Sequence, residues 1–367
     1  KKEEQILAGY QRVLRARLSD AQFFYNEDKK HDLYFFRDKL KKRLFFADLG
    51  SIYDKTERIK SIALDYKNYF TTSDGAPLKD DDIKIAAALS KADLTTAMVS
   101  ELPELQGTMG YYYAHAQGLV LNIAAALREH YLPRGLTDSL PPAGLSSLIA
   151  FADKLDTLKE FFRINRVPKG SGDPFALRRA ALGIIRIFIE QRINIALVDL
   201  ALADNLAQFM EERFLVYCRD RFNPLLCSII KKQVRQKPFH QLYGLGESMS
   251  RLDLTLLLQC YKRALNITRD QEKNITASML DEQLLVEPVE KIFYSTLMQL
   301  GPLLESTIRA GDWLAAVQHL AAVQQPLNDF FDGVLINADD INLRANRRAL
   351  VGWFLSLTQL VADFSLT

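Results

Sequence analysis

The carboxylate of Asp93 is the side chain whose position first demands a chemical explanation. Asp93 follows Leu89 by four residues and Ile85 by eight, so all three lie on one apolar row if the segment is helical. A carboxylate that lacks a partner in apolar surroundings is costly. We therefore expect a basic partner for Asp93, and Arg58 in the segment DKTERI is the candidate.

A second carboxylate, Asp153, completes a pattern that suggests a former metal site. The segment AAALSKADL resembles the helix on which HD-domain phosphohydrolases carry their histidine–aspartate pair, and IAFADKLDTL resembles the helix with their final aspartate. Ala92 and Asp93 then occupy the pair, but Ala92 replaces the imidazole, and Phe46 stands near the place of the first histidine. Carboxylates without imidazoles suit a transition-metal pair poorly. The sequence predicts an HD-like fold with a degenerate site and no metal.

Other residues of metal-binding type form no recognisable site. The dipeptide His31-Asp32 lies in the polar segment NEDKKHDLYF, which favours a solvated pair at a helix start. Cys218, Cys227 and Cys260 show no CxxC spacing and are odd in number, so neither a zinc site nor a disulfide framework is expected. We interpret them as free, mostly buried thiols.

Composition and periodicity together indicate an all-α fold. The 367 residues are 48% hydrophobic and 25% charged, which is typical of globular proteins, and no apolar run is long enough to predict a membrane span. Apolar residues recur at helical spacing throughout, and no convincing alternating strand is found. The net charge of +2 neither favours nor excludes a nucleic-acid partner.

Helix signals predict several element boundaries. A helix from Asp80 to Val99 begins with three aspartates, which suit a helix N-terminus. Asp173 is a natural N-cap, with Pro174 at the first helical position. A helical stretch from Asn205 to Lys237 is expected to break or kink at Pro224.

The chain is long enough for two domains, and its character changes near Ala201, where longer helical stretches begin. We predict a domain over residues 1–203 and a second over residues 204–367. The first residues, KKEEQ, include no methionine and no signal sequence, so a fragment of a longer protein is expected.

A set of sequence blocks resembles the beta subunit of bacterial glycyl-tRNA synthetase in the order expected for that family. The blocks span nearly all of residues 10–190 and then residues 335–367. They are VLRARLSDAQFFYNED, LGSIYDKTERI, KADLTTAMVSELPELQGTMGYYYA, REHYLPR, ADKLDTL, GSGDPFALRRAALGIIRI and LRANRRALVGWFLSLTQLVADFS. The resemblance implies the C-terminal half of that subunit, with an HD-like domain followed by a helical-bundle anticodon-binding domain of the DALR type.

The resemblance also implies a function. The family forms an alpha2beta2 tetramer in the cytoplasm, and its alpha subunit attaches glycine to tRNA(Gly) with ATP and Mg²⁺. The beta subunit recognises tRNA and is needed for activity. For this chain the resemblance implies no catalytic residue, no cofactor of its own and no activity when alone.

Candidate tRNA contacts in the second domain lie in two segments. LQCYKRALNITRD resembles a block of the family's anticodon-binding domain, which makes Lys262, Arg263 and Asn266 candidates. Alternatively, Asn266 ties two helices together and the cations are solvated. LRANRRALVGWF supplies a charged helix face, on which phosphate contact and a structural network with Asp339, Asp340 or Asp363 fit equally. Its candidates are Arg344, Asn346 and Arg347.

A third candidate segment, VPKGSGDPFALRR, lies in the first domain. It brings a glycine-bearing loop to a helix N-terminus, where amides and the helix dipole favour an anion such as a tRNA phosphate. Lys169, Arg178 and Arg179 are its candidates. Alternatively, Asp173 already caps those amides and the arginines pair with nearby carboxylates.

The segment ELPELQGTMGYYYAHA combines glycines with three successive tyrosines. We expect the glycines to permit close approach of the backbone and the tyrosines at 111–113 to pack as a wedge. Stacking of a tyrosine on an RNA base is the alternative.

Three functions compete at this point. The first is a non-catalytic module for tRNA recognition and assembly. The second is a residual HD-type metal phosphohydrolase, against which the missing histidines count. The third is a scaffold that holds the alpha subunit and does not bind RNA.

Overall fold

The helical periodicity of the sequence is realised as an all-α fold, as predicted. The computed structural model describes residues 2–168, 170, 172–269 and 275–365. Its contacts divide the chain into two compact units, Lys1–Ile193 with Leu202–Leu206, and Asn194–Ala201 with Ala207–Thr367. The assignment alternates over residues 194–206, so the predicted division between residues 203 and 204 stays a prediction.

The first unit is a helical layer structure around one central helix. Its α-helices are α1 (Lys2–Asp28), α2 (Leu33–Lys39), α3 (Ile52–Tyr66), α4 (Asp80–Leu89), α5 (Ala97–Glu101), α6 (Thr108–Ala116), α7 (Leu121–Glu129), α8 (Leu145–Arg163) and α9 (Leu177–Glu190). The central helix is α8, which packs against α3, α4, α7 and α9 and is buried along most of its length. Polar side chains on α8 therefore point into a low-dielectric interior and need partners there.

Two local signals explain how the first unit begins its helices. Ser51 and Asp54 form a reciprocal capping box at the start of α3. Asp32 caps α2 by accepting a hydrogen bond of 2.8 Å from the backbone N–H of Phe35. The dipeptide His31-Asp32 is therefore an exposed helix start, as the sequence indicated.

Three predicted elements of the first unit differ in the structure. The helix expected from Asp80 to Val99 ends at Leu89, gives way to a 3₁₀ turn at Ala92–Thr95 and restarts as α5. Thr96 causes the restart because its side chain accepts from the backbone N–H of Val99. A short antiparallel pair, β1 (Leu44–Phe46) and β2 (Gly50–Ser51), was missed because its strands are too short for alternation to show. The helix predicted to start at Pro174 starts at Leu177.

The second unit is a bundle whose helices mostly follow the sequence signals. They are α10 (Asp204–Arg219), α11 (Pro224–Lys231), α12 (Phe239–Ser250), α13 (Thr255–Ile267), α14 (Pro288–Ala310), α15 (Trp313–Ala322), α16 (Gln324–Gly333) and α17 (Ile341–Val361). The predicted break at Pro224 is confirmed, since Pro224 opens α11 and Asn223 caps it. α14 packs against α15, α16 and α17. The three cysteines are free and buried in this unit, as expected.

α1 differs from the other long helices because most of its length is exposed. Its apolar side chains remain open to solvent, with Leu7, Leu14 and Leu18 at 61%, 58% and 68% exposure. Only toward its end do α1 side chains join the core of the first unit, beginning near Ala21 and Phe24. Across the described residues, no helix combines the length and apolar character needed to cross a membrane.

Candidate functional site

Two buried lysines converge on Asp153, at the position where the sequence predicts a degenerate metal site. Asp153 lies on α8, Lys55 on α3, and Lys91 just after α4. Lys55 Nζ forms an ion pair with Asp153 Oδ1 at 2.8 Å, although the geometry of this contact is not that of a hydrogen bond. Lys91 Nζ is 2.8 Å from Asp153 Oδ2 and donates a hydrogen bond to it. The carboxylate therefore has an ammonium group at each oxygen.

Burial and these charges set the protonation states in the cluster. Burial alone would raise the pKa of Asp153, but the charges of Lys55 and Lys91 outweigh it and hold that pKa well below its usual range. Burial, together with the charge of Lys91, lowers the pKa of His130 well below normal. His130 Nε2 lies 2.8 Å from Lys91 Nζ and Nδ1 lies 3.2 Å from the carbonyl of Ala126. A neutral imidazole that accepts from Lys91 and donates to that carbonyl satisfies both contacts.

Lys55 also joins this cluster to a second carboxylate on α8. Its ammonium lies 2.9 Å from Asp156 Oδ2 and 2.8 Å from the hydroxyl of Thr157. Arg58 binds the other oxygen of Asp156 at 2.5 Å. Arg58 lies about one turn after Lys55 on α3, and its guanidinium binds Asp156 on α8. The prediction that Arg58 pairs with Asp93 is therefore wrong.

The actual partners of Asp93 are backbone amides of the glycine-rich segment. Asp93 Oδ2 accepts from the backbone N–H of Gly107 and, at 3.2 Å, from that of Gly110. Gly107 has a φ of +78°, and a Cβ at Gly110 would lie 3.4 Å from the same carboxylate oxygen. The two glycines thus allow the close approach that the sequence suggested. Burial raises the pKa of Asp93 to about 6.

The residues around Asp153 do not fit a metal site. An ammonium group occupies the space at each carboxylate oxygen, and a protonated lysine cannot be a ligand. Ala92 supplies no donor, and the ring of Phe46 packs against those of Phe161 and Phe175. In the part of the chain that the structure describes, no group of three His, Cys, Asp or Glu side chains is placed to hold a metal ion. The lysines supply the positive charge that balances the carboxylates.

A cleft of about 360 Å³ opens beside this cluster within the first unit. Its lining joins four segments: the residue Gln106 shortly before α6, the segment after α7, the middle of α8 and the start of α9. The lining residues are Gln106, Tyr131, Pro133, Arg134, Asp153, Lys154, Thr157, Phe175, Ala176, Arg179 and Ala180.

The three tRNA contacts predicted around the start of α9 have different outcomes in the structure. Asp173 accepts from the backbone N–H groups of Leu177 and Arg178 at 2.8 and 3.0 Å, which favours the capping alternative. The Arg178 guanidinium donates to carbonyls of its own loop, at Gly170 and Gly172. Arg179 is exposed and lines the cleft, whereas Lys169 lies outside the described residues.

The three tyrosines that follow the glycines have different surroundings. Tyr113 is 1% exposed, stacks on Tyr25 and donates a hydrogen bond of 2.8 Å to Asp28. The packing interpretation is therefore confirmed for Tyr113. Tyr112, at 53% exposure, is the tyrosine of the three that is open to an external partner.

The predicted contacts on α13 are all at the surface. Lys262 and Asn266 are exposed, stand four residues apart on one helix face and have no hydrogen-bond or ion-pair partner among the described residues. Arg263 is also exposed but lies over the ring of Phe331 and pairs with Asp332 at 3.3 Å. Of the three predicted contacts on α13, Lys262 and Asn266 are therefore the two whose side chains are most available to an external partner.

Two of the predicted contacts on α17 are buried instead. Asn346 forms two hydrogen bonds with the backbone of Asp281, at 2.9 and 3.0 Å. Arg347 pairs with Glu290 inside the bundle and donates to the carbonyl of Leu335. These contacts favour the structural alternative, with Glu290 as the acidic partner in place of the carboxylates that the sequence suggested. Arg344 is half-buried.

Comparison with known proteins connects these units to one family. The family model described as glycyl-tRNA synthetase beta subunit matches residues 1–236. The chain belongs to the glycyl-tRNA synthetase beta subunit family. A second family model, the DALR anticodon binding domain, matches residues 257–358 and so covers α13 to most of α17.

Curated relatives of this family include glycine–tRNA ligase beta subunits from three bacteria. The subunit of Shewanella amazonensis is 36% identical over 381 residues, which are 99% of this chain and 54% of the relative. That of Acinetobacter baumannii is 36% identical over 386 residues, 100% of this chain and 55% of the relative. That of Rickettsia akari is 36% identical over 373 residues, with shares of 99% and 54%. The chain spans about half the length of these relatives.

Sequence reasoning found the carboxylates of this beta-subunit family chain but missed the cations around them. Lys55, Lys91, His130 and Lys154 were not singled out. A signal for Lys55 does exist, because it shares an apolar row on α3 with Ile52 and Ile59. No comparable signal marks His130, whose role depends on how α7 and α8 pack.

Proposed function

We propose that the chain is the tRNA-recognition part of a glycine–tRNA ligase beta subunit, which supports ATP-dependent attachment of glycine to tRNA(Gly). The observation that carries this proposal is the DALR anticodon-binding match over residues 257–358 in a beta-subunit family chain. The exposed pair Lys262 and Asn266 on α13 lies within that match. A lysine ammonium suits a phosphate, and an amide suits a base edge.

The proposal extends to the partners of the whole enzyme. A beta subunit acts beside an alpha subunit, and we propose an alpha2beta2 tetramer whose alpha subunit binds ATP and Mg²⁺. We expect this chain to supply no catalytic group of its own and to show no aminoacylation when it is alone. Adding the alpha subunit and the remaining half of the beta subunit is expected to produce ATP-dependent glycylation of tRNA(Gly), which a charging assay measures.

The variant Lys262→Gln/Asn266→Ala tests where tRNA binds. Both side chains are exposed, so the fold should be unaffected. We expect weaker binding to tRNA(Gly), by about tenfold, in a filter-binding or anisotropy titration. Lys291→Gln is the matched control, since it removes one exposed charge from α14 in the same unit. Equal loss in both variants would mean that net charge, not the α13 face, determines binding.

A residual metal phosphohydrolase is the less favoured function. The lysine ammonium groups around Asp153 take the positions that metal ions would need. Phosphoester cleavage that requires added Mn²⁺ and is lost in Asp153→Asn would overturn this assignment.

A further inference from the structure

The cleft beside the lysine–aspartate cluster carries two arginines whose guanidinium groups are unpaired within the described part of the chain. Neither the Arg134 nor the Arg179 guanidinium has a hydrogen-bond or ion-pair partner among the described residues, and both line the cleft. The neighbouring Arg178 differs, because carbonyls of its own loop occupy its guanidinium. Arginine presents a planar fork of donors that matches the oxygens of a phosphate.

The inner wall of the cleft adds a buried ammonium and a buried hydroxyl. Lys154 is 8% exposed, and its Nζ donates to the carbonyls of Leu132 at 2.7 Å and His130 at 3.3 Å. A lysine ammonium has three donors, so these two contacts leave one donor over. Burial lowers the pKa of Lys154 to about 7, and a bound anion would restore its charge. The buried hydroxyl of Tyr131 has no hydrogen-bond partner among the described residues.

Among the described residues of the lining, Asp153 is the one carboxylate, and its charge does not oppose an anion. Asp153 is held between the ammonium groups of Lys55 and Lys91, each at 2.8 Å. Its negative charge is therefore balanced by two lysines that are not among the described lining residues. The remaining charged side chains of the lining are Arg134, Lys154 and Arg179, all cationic.

Packing around Lys154 shows that its position depends on one glycine. A Cβ at Gly183 would lie 2.7 Å from Cε and 2.9 Å from Cδ of Lys154. Gly183 on α9 therefore makes the room in which the lysine chain runs beneath the cleft. The ammonium is held at the cleft wall by packing as well as by its two carbonyls.

We propose that this cleft binds a phosphomonoester, the terminal phosphate of a nucleotide, with Arg134 and Arg179 on its oxygens and Lys154 and Tyr131 donating from the inner wall. A terminal phosphate presents three oxygens on one side and so matches donors that converge in a concave site. A volume of about 360 Å³ lies in the range of pockets that hold nucleotide-sized ligands. The phosphate can come from a free mononucleotide or from the 5′ end of an RNA. The site does not depend on anticodon recognition by the second unit.

Calorimetric titration of the chain with adenosine 5′-monophosphate and, separately, with adenosine tests the site. We expect the monophosphate to bind and adenosine not to bind. Arg134→Gln/Arg179→Gln should lower the affinity for the monophosphate by about tenfold or more, since two charge-assisted contacts are lost. Arg166→Gln is the matched control, because Arg166 is exposed and does not line the cleft. Tyr131→Phe, which keeps the ring, should weaken binding by a smaller factor.

Two short RNAs of one sequence, with and without a 5′-phosphate, distinguish the sources. Tighter binding of the 5′-phosphorylated RNA that disappears in Arg134→Gln/Arg179→Gln supports the site and makes an RNA end its ligand. Monophosphate binding with no preference between the RNAs supports the site and makes a free nucleotide its ligand. Equal binding of monophosphate and adenosine, or equal affinity in the arginine double variant and the Arg166→Gln control, would overturn the proposal.

Discussion

At the scale of single residues, Asp93 shows how a carboxylate can be buried without a cation in contact with it. Its Oδ2 accepts two backbone N–H groups from the glycine segment, which would otherwise be buried without an acceptor. In Asp93→Ala both donors lose their acceptor, so we expect a loss of about 3 kcal/mol in the free energy of unfolding. Asp93→Asn keeps an acceptor oxygen and should lose less. Urea denaturation of both variants measures the difference.

The same carboxylate predicts a pH dependence with a defined sign. Burial raises the pKa of Asp93 from 3.8 in the unfolded chain to about 6 in the folded one. Between these values the folded chain binds the proton and the unfolded chain does not, so this contribution to stability falls as pH rises from about 4 to 6. In Asp93→Asn that part of the pH dependence should vanish. A difference between the two proteins that is constant with pH would contradict the assignment.

Lys55 provides the second prediction at this scale. Lys55→Met removes an ammonium shared by two buried carboxylates, and we expect a loss of about 3 kcal/mol or more. Lys60→Met, on the same helix, is the control, because its ion pair with Glu57 is partly exposed and should be worth less than about 1 kcal/mol. Thermal or urea unfolding measures both variants. Equal losses in the free energy of unfolding would mean that the buried ion pairs of Lys55 stabilise the fold no more than the partly exposed pair of Lys60.

The sequence indicated that Asp93 lies on an apolar helical row, and it singled out Asp153 because its segment resembles an HD-domain helix. It did not identify the partners of Asp93, since backbone amides carry no sequence signal. Gly107 lies fourteen residues away and meets Asp93 only through the turn that its positive φ allows. Burial can thus be inferred from periodicity, whereas a specific hydrogen bond requires the fold.

At the scale of elements, α1 is a long helix anchored at one end. Its last residue, Asp28, is buried and accepts from the backbone N–H groups of Ala97 and Met98 and from the hydroxyl of Tyr113. Asp28→Ala should therefore destabilise the first unit by about 3 kcal/mol. Leu14→Gln and Leu18→Gln, at exposed positions, should change stability by less than about 0.5 kcal/mol.

Thermal unfolding of these variants separates the two halves of α1. A large loss in Leu14→Gln or Leu18→Gln would contradict the exposed placement of that stretch. An unchanged Asp28→Ala would contradict the anchoring contacts.

Most helices of the chain follow directly from apolar periodicity, and those that differ have local causes. The segment after Leu89 keeps helical spacing of its apolar residues, yet the chain turns there because Thr96 offers a competing cap. At α9, Asp173 does bind the first amides, but it does so from outside the helix, with Ala176 at a φ of +57° in between. Both differences arise from side chains that compete with the helical backbone for hydrogen bonds.

At the scale of the whole chain, two units of one family divide the proposed roles. The first combines a lysine–aspartate cluster with a cationic cleft, and the second contains the DALR match. With a net charge of +2, any RNA affinity has to arise from local cationic faces such as that of Lys262. The fold class and family could be inferred from the sequence. The cleft could not, because it joins four segments that only packing brings together.

The most direct test of tRNA recognition is a titration of this chain with tRNA(Gly) and with the same tRNA carrying altered anticodon bases, each at several salt concentrations. We expect affinity to fall with rising salt, as phosphate contacts require, and to drop when the anticodon is changed. Salt-sensitive binding that ignores the anticodon would move recognition to the tRNA body. No binding of either RNA by a folded sample would contradict tRNA recognition by this part of the subunit.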